Sequence, residues 1–336
     1  MTYALHDFLK KPWHSDNPFE LSHSIFNQNF PECERRFELD RLLVNPSALP
    51  REEAPYHIRG TAYGAGVQAY LLTGDINFAM MVCWLSYNPQ SEDLDKVPTI
   101  SQARTINNLF LSKDRLDRIR ERYKVATFNG KPAIELLFKI HIGRWYYIGH
   151  IDIVLYDMKL KMYVVLEVKT TAFKIFDLRP LFQNSPQGIG YSIVLDGIVG
   201  KNENRYGVLY LVCRDKNNSD FIPDVEAFHF NKTILDRLKW FYTLSSDVQR
   251  LDDMYNHGVF PMRGHSCVHF GKTCPHFGFC TTTAGDIKKK AIPDKRKYDF
   301  EFELDSLIED HISRVSKMQN ESSNGFIKEE KEHIMT

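Results

Sequence analysis

The 336-residue sequence has no apolar run approaching the roughly 20 residues that a membrane-spanning helix needs. It also lacks net charge, because 43 lysines and arginines balance 43 aspartates and glutamates. That balance does not favour a uniformly basic surface, although a neutral total can still hold a basic groove. The opening residues carry an acid too early and too little apolar length for a signal peptide. A cytoplasmic protein with no membrane contact is therefore expected. Cysteine is sparse, with six residues. In a cytosolic chain these read as metal ligands or core thiols rather than disulfides. No internal repeat is present. What remains is an ordinary globular composition, long enough for one large domain or somewhat more.

The pattern of apolar residues divides the chain. Residues 1–20 hold Pro12 and Pro18 among polar residues and read as a loose arm. A helix is expected from Ser22 or Ser24 through Phe37, kinked or restarted at Pro31. Residues 44–56, with three prolines, read as a loop. Helices are expected over 59–72, where small residues permit close packing, over 77–85, and over 99–124. The last ends in a run of mixed charges that suits a solvated face with i, i+4 pairs. Strands follow: 133–142, with Glu135 on the face opposite Leu136, Phe138 and Ile140, then 146–156 and 162–170. Ser185 and Pro186 open a helix. Strands at 208–214 and 225–230 and a helix over 233–256 complete the core, with Gly258 ending that helix. Residues 300–318 suit one amphipathic helix, and 319–336 read as disordered.

One strand carries charges where apolar residues are the rule. Residues 164–169 read V-V-L-E-V-K, and Asp152 lies in I-D-I-V-L just upstream. Glu167 and Lys169 are two residues apart and share a strand face. A hairpin with its tip at Lys159 and Leu160 sets Asp152 opposite Glu167, where side chains lie roughly 5 Å apart and like charges repel. A divalent cation resolves that repulsion, since Mg2+ is held by one or two carboxylates with water and phosphate.

These residues, Gly149-His150-Ile151-Asp152 and then Glu167-Val168-Lys169, resemble the D…(D/E)-x-K core of the PD-(D/E)XK nuclease superfamily. Gln187-Gly188-Ile189-Gly190-Tyr191 resembles the Q-x-x-x-Y element of its RecB-like branch, which includes CRISPR-associated and phage recombination exonucleases. The resemblance spans roughly residues 22–280. It implies an α/β fold with a restriction-endonuclease-like core, a mixed sheet flanked by helices, and a cysteine-rich segment at 267–280. On that reading the nuclease domain covers 21–280, after an arm at 1–20 and before a polar tail at 281–336. It further implies a DNA nuclease, most simply an exonuclease of recombination, repair or phage DNA metabolism, partnered by recombination or single-strand-annealing proteins. Asp152 and Glu167 would be ligands of Mg2+ or Mn2+. Lys169 would orient or deprotonate the attacking water, or stabilise charge on the phosphate. Gln187 and Tyr191 share a helical face and could reach the phosphate or base beside the metal. Glu135 would bind a second ion or hold Lys169, or is an exposed strand residue.

One departure concerns a histidine. Relatives carry a metal-binding histidine in a G-x-x-x-H context on an upstream helix. Here Gly60-Thr61-Ala62-Tyr63 leads to Gly64, with Gln68 one turn on. His57 and His150 are substitutes, His150 being the better placed.

Cys267, Cys274 and Cys280 are closely grouped, and Cys33 lies far upstream. Many RecB-like exonucleases hold a 4Fe–4S cluster with one N-terminal and three C-terminal cysteines, so the resemblance implies such a cluster on these four residues. The six-residue gap between Cys267 and Cys274 is longer than the usual close pair. Zinc is the rival, with His265, His269 or His276 joining three cysteines. Cys83 and Cys213 read as core residues. The lysines at 288–290 with Lys295, Arg296 and Lys297 could follow backbone phosphates or form a solubilising tail. A catalytically silent DNA-binding or assembly module with the same fold is the alternative function.

Overall fold

The computed structural model describes residues 19–23, 32–39, 55–87, 100–200, 205–215, 224–269, 272–280, 297–314 and 316–317. A strand β1 (Phe19–Ser22) and a one-turn helix α1 (Glu34–Phe37) come first. Four helices follow: α2 (Pro55–Thr73), α3 (Ile76–Tyr87), α4 (Ile100–Leu111) and α5 (Lys113–Arg122). Strands β2 (Tyr123–Val125), β3 (Ile134–Ile142), β4 (Trp145–Asp157) and β5 (Met162–Thr171) form the middle of the chain. Helices α6 (Arg179–Gln183) and α7 (Pro186–Val199) lead to strands β6 (Arg205–Arg214) and β7 (Asp224–Thr233). Helix α8 (Ile234–His257) precedes the cysteine segment, and the chain returns as strand β8 (Phe300–Glu303) and helix α9 over 304–314.

Eight strands make one mixed sheet in the order β8-β3-β4-β5-β6-β7, with β1 and β2 also paired to β4. Three pairs are parallel: β1 with β4, β5 with β6, and β8 with β3. Apolar residues of α2 to α5 cover one face of the sheet, and those of α7 to α9 cover the other. The expected α/β architecture, a mixed sheet flanked by helices, is the one observed. Among the described residues no helix is long and apolar enough to cross a membrane.

The central hairpin is set by Asp157. Its Oδ1 accepts from the backbone N–H groups of Lys159 and Leu160, both at 2.9 Å, and Lys161 takes a left-handed φ of 56° to close the turn. Arg122 at the end of α5 donates to Asp157 Oδ2 at 2.6 Å. This turn fixes the register Ile153↔Leu166 through Asp157↔Met162. One register step further, Asp152 stands opposite Glu167, as the turn symmetry requires.

Helix α2 lies close to its neighbours because Gly66 faces them. A Cβ there would stand 2.4 Å from Leu109 Cδ2 and 3.0 Å from Cys83 Cβ. Helix α8 begins with a capping box between Thr233 and Asp236 and ends at Gly258 with φ 69°. Both ends match the sequence reading.

Other expectations change. The helix expected over 99–124 breaks at Ser112, whose hydroxyl bonds Asn108 O at 2.6 Å and lies 2.8 Å from the Tyr63 hydroxyl, and Tyr123 already begins β2. Of the mixed charges of α5, Lys113 pairs with Asp117 at i, i+4 as expected, at 2.6 Å, whereas Arg115 pairs outside the helix, with Glu226 of β7 at 3.0 Å. Ser22 ends a strand instead of opening a helix. Phe300 also begins a strand, and Leu304 and Leu307 of α9 are buried in the main core. Residues 1–18, 44–54, the lysines at 288–290 with Lys295 and Arg296, and 319–336 lie outside the described residues.

Candidate active site

The site lies where the sheet forks. One edge of β4 pairs with β3 from Trp145 to Ile153. On its other edge, Trp145 to Ile148 pair with β1 and Ile153 to Asp157 pair with β5. Residues 149–152 therefore lie between two partners on that edge. Beyond Leu166, β5 continues beside β6, with Glu167↔Tyr210 and Lys169↔Val212 in register. The Asp152 carboxylate reaches across the fork, where its Oδ2 accepts from the Val168 backbone N–H at 3.0 Å.

Three acids form one row across the fork. Ile134 pairs with Ile153 and Leu136 with Ile151, so Glu135 and Asp152 occupy opposed positions between them, with Glu167 next on β5. Glu135 has a φ of 49°, a left-handed conformation costly for a glutamate inside a strand. It breaks the alternation: Ala133 and Leu136, three apart, share one core cluster, and on β4 so do Ile151 and Val154. The simple two-residue alternation expected around Glu135 is thus corrected to a local break in both strands that leaves their register unchanged.

Glu167 is 0% exposed, and neither of its oxygens has a hydrogen-bond partner. Lys169 Nζ stands 2.8 Å from Oε2, an ion pair by distance that is not aligned as a hydrogen bond. Burial pushes the Glu167 carboxyl up to about 8, with Lys169 opposing the rise and Asp152 and Glu135 adding to it. Burial works against the Lys169 charge, but Glu167 and Asp152 outweigh it and hold the ammonium above its usual range. Glu135 is also raised, by the surrounding protein and by Asp152, although its outer edge remains in solvent.

Helix α7 supplies the next layer. Lys169 Nζ donates to Gln187 Oε1 at 3.2 Å, and Gln187 Nε2 donates to the Tyr191 hydroxyl at 3.0 Å. The shared helical face of Gln187 and Tyr191 is as the sequence suggests. Tyr191, however, is 3% exposed, with its ring edge-on to Phe138 at 5.7 Å. Its hydroxyl holds Gln187 from within the core. Gly149 makes room for this packing, since a Cβ there would lie 2.7 Å from Phe138 Cζ and 3.3 Å from Tyr191 Cε1.

Gln68, noted one turn beyond Gly64, and His23, which the sequence did not single out, complete the surroundings. Gln68 of α2 donates to Glu135 Oε1 and approaches Asp152 O at 3.5 Å. Helix α2 thus brings a neutral amide to the acids. His23, the residue after β1, lies at the mouth of the fork, and burial together with the Lys169 charge lowers it to about 4. The signal for His23 was a four-residue strand with too few alternations to detect. His150 Nε2 is 3.6 Å from Glu135 Oε2. His57, in the first turn of α2, is exposed.

The cysteines come together at the far end of α8. Arg35 N–H donates to Pro261 O at 3.0 Å, Arg35 Nε to Cys280 O at 3.1 Å, and Ser266 to Glu32 O at 2.5 Å. Glu34, buried, accepts from Arg250 at 2.6 Å and from Arg263 at 2.8 Å. These bonds seat the segment around Cys33 on residues 261–280. Burial raises the Cys280 thiol, and Cys274, Cys267 and Cys33 each add to the rise, so four thiols separated by up to 247 positions share one locality. Among the described residues, no three His, Cys, Asp or Glu side chains are close enough to enclose a metal ion. His276 is buried and His265 exposed. Cys83 and Cys213 are core residues, as expected.

No protein-family model and no curated protein matches the sequence. Among solved structures, the chain is similar to a crystal structure of a candidate exonuclease from Eubacterium rectale, with a TM-score of 0.47 and 12% identity over 80% of this chain and 91% of that one. A likeness this remote carries no argument about chemistry.

Proposed function

We propose that this chain is a metal-dependent DNA nuclease of the PD-(D/E)XK type, most simply an exonuclease. The observation that carries the reading is Glu167, a fully buried carboxylate beside Asp152 that meets only the Lys169 ammonium, at 2.8 Å from Oε2. Burying this acid beside Asp152 and Glu135 with one lysine between them is costly, and a further cation offsets the cost. Mg2+ and Mn2+ fit this donor set, because such ions are held by one or two carboxylates with water and phosphate completing the shell. Asp152 and Glu167 would hold the ion, and Glu135 borders it. When bound, the ion supplies charge neutralisation at the phosphate and a more acidic water.

The remaining chemistry belongs to the chain. Lys169 presents an ammonium at the fork, aimed by Gln187, and can donate to the attacking water or to a phosphate oxygen. Tyr191 fixes Gln187. Gln68 contributes an amide where a cation-binding histidine would otherwise stand, which supports a single ion. Cys33, Cys267, Cys274 and Cys280 fit a 4Fe–4S cluster, or a zinc ion, in number and type, although the thiols are not drawn to ligating distance. Such a group would tie the two ends of the domain together behind the sheet. Recombination, repair or phage DNA metabolism is the setting proposed, with recombination or single-strand-annealing proteins as partners. A silent binding module would have no use for a buried acid cluster beside a positioned lysine.

The test is hydrolysis of end-labelled linear and closed-circular DNA under Mg2+ and Mn2+ by anaerobically purified protein. Loss of linear DNA alone supports an exonuclease. Loss of both supports an endonuclease at the same site. No cleavage under either ion, with DNA still bound, would favour the silent module.

A further inference from the structure

The segment that joins β5 to α7 leaves the candidate site just after Lys169 and returns to it at Gln187. It is held to the sheet at several points. Thr171 O accepts from the Asp215 N–H at 2.7 Å, and Thr171 Oγ1 accepts from the Phe173 N–H at 3.1 Å. Ile175 is buried at the start of a 3₁₀ turn, Ile175–Leu178. Phe182 of α6 stacks on Tyr210 at 4.8 Å, and the Phe176 ring meets Phe228 edge-on at 6.1 Å. Glu167, Tyr210 and Phe228 are register partners across β5, β6 and β7. Two strand spacings thus put Phe228, and the ring mounted on it, about 10 Å or more from Glu167.

A segment pinned this firmly still leaves three large apolar side chains in water. Phe173 is 72% exposed, Phe176 66% and Leu181 63%. Apolar groups gathered in this way and rimmed by charge mark a surface for a partner. Two features name the partner. The first is charge: Lys174 and Arg179, both exposed, alternate with the apolar groups, and Asp177 is the one acid among them. Aromatic rings interleaved with cations suit single-stranded DNA, whose bases stack on the rings while its phosphates meet the cations. The second is continuity with the site. Four residues of chain span at most about 14 Å, so Phe173 lies within about four stacked nucleotides of Lys169. A strand whose phosphate reaches Lys169 can therefore lay its neighbouring bases on this segment.

We propose that Phe173 and Phe176 form a stacking platform for unpaired bases of the strand being cut, with Lys174 and Arg179 on its phosphates. The proposal deepens the nuclease reading and rests on it for the identity of the substrate. It makes the protein favour single strands and frayed ends, because paired bases within a duplex keep their faces against one another. Stacking on an aromatic ring tolerates any base, so no sequence preference is expected.

Phe173 is largely in solvent, so Phe173→Ala, Phe173→Leu and Phe173→Trp should keep the wild-type melting temperature. Affinity is measured in EDTA for a short single-stranded oligonucleotide, for the same strand with one abasic position moved along it, and for a blunt duplex. Cleavage under Mg2+ is followed in parallel. In wild type an abasic site at one or two adjacent positions should weaken binding by about tenfold. Phe173→Ala and Phe173→Leu should bind the intact strand about tenfold more weakly and lose that positional effect, because the base and the ring act as one pair. Phe173→Trp should keep both, and duplex binding should be the same in all four proteins. If wild type cuts DNA but Phe173→Ala binds single strands as wild type does, the platform is wrong, the nuclease reading stands, and the patch belongs to a protein partner. Wild-type binding by Phe173→Leu also overturns the platform, since it needs no ring. If the positional effect is present and depends on Phe173 while no DNA is cut, the platform stands and the nuclease reading falls. If single strands are neither bound nor cut, both are overturned.

Discussion

The Oδ2 atom of Asp152 accepts a hydrogen bond from the backbone N–H of Val168 at 3.0 Å. Val168 lies between Glu167 and Lys169, so this one bond ties the acid of β4 to the strand that carries the other acid and the lysine. The last ladder pair between these strands is Ile153↔Leu166, and the side chain takes over where the backbones part. The acid is thereby held in one orientation at the open edge of β5. A ligand site built on rigid strands keeps its geometry without help from loops.

Gln187→Ala should lower the rate of DNA cleavage by about tenfold or more with little change in substrate affinity, because the change releases Lys169 from one of its two holders. Tyr191→Phe should act in the same direction and more weakly. The double variant should be no worse than Gln187→Ala, since Tyr191 acts through Gln187. Equal and additive losses would mean that Tyr191 has a separate role.

Gly149→Ala should destabilise the fold by about 1–3 kcal/mol, the usual cost of overpacking. The added Cβ would press on Phe138 and Tyr191, and the strand must shift within three residues of Asp152. Urea denaturation measures the first effect and cleavage the second. An unchanged midpoint would show that β4 can yield here at no cost.

The site was partly legible in the sequence. The opposition of Asp152 and Glu167 follows from counting outward from the hairpin tip, and the tip is marked by Asp157 and its polar neighbours. Gln187 and Tyr191 follow from helical spacing after Ser185 and Pro186. Glu135 was legible as an acid but not as a break in the alternation, because nothing in a glutamate announces a positive φ. The break at Ser112 depends on Tyr63, 49 residues away, and no local signal carries it. Strands β1 and β8 have four residues each, too short for a period to appear, yet β1 defines one side of the fork and β8 covers the free edge of β3. Gln68 was visible one turn beyond Gly64, but its contact with Glu135 and Asp152 is tertiary.

Cys274→Ser and Cys33→Ser should each lower the bound metal content and the melting temperature together, since the two residues sit on opposite sides of the same junction. Metal analysis and visible absorption separate iron–sulfur from zinc. A variant that keeps wild-type metal and melting temperature would remove that cysteine from the ligand set.

Acid should loosen the C-terminal helix. His311 of α9 donates from Nε2 to Ile234 O at 2.7 Å. Burial lowers its pKa below 6.5, the bond to Ile234 opposing and Arg237 assisting. The unfolded chain therefore takes up the proton first. The stability that His311 contributes is complete above about pH 6.5 and is lost as pH falls through the lower folded value. His23, lowered to about 4, adds a fall of the same sign. The change in melting temperature from about pH 7.5 to about pH 5.5 should be more negative in wild type than in His311→Gln, which keeps every other titration, that of His23 and the opposing one of Glu167 included. Parallel curves for the two proteins would remove His311 as the cause.

Single-turnover cleavage of end-labelled linear DNA by wild type and Asp152→Asn, with Mg2+ and with EDTA, tests the central claim most directly. Asparagine keeps the shape and can still accept from Val168, so the fold and DNA binding should persist. The account predicts Mg2+-dependent cleavage by wild type and a loss of about a hundredfold or more in the variant. Equal cleavage by both proteins, or cleavage by wild type that persists in EDTA, would contradict it.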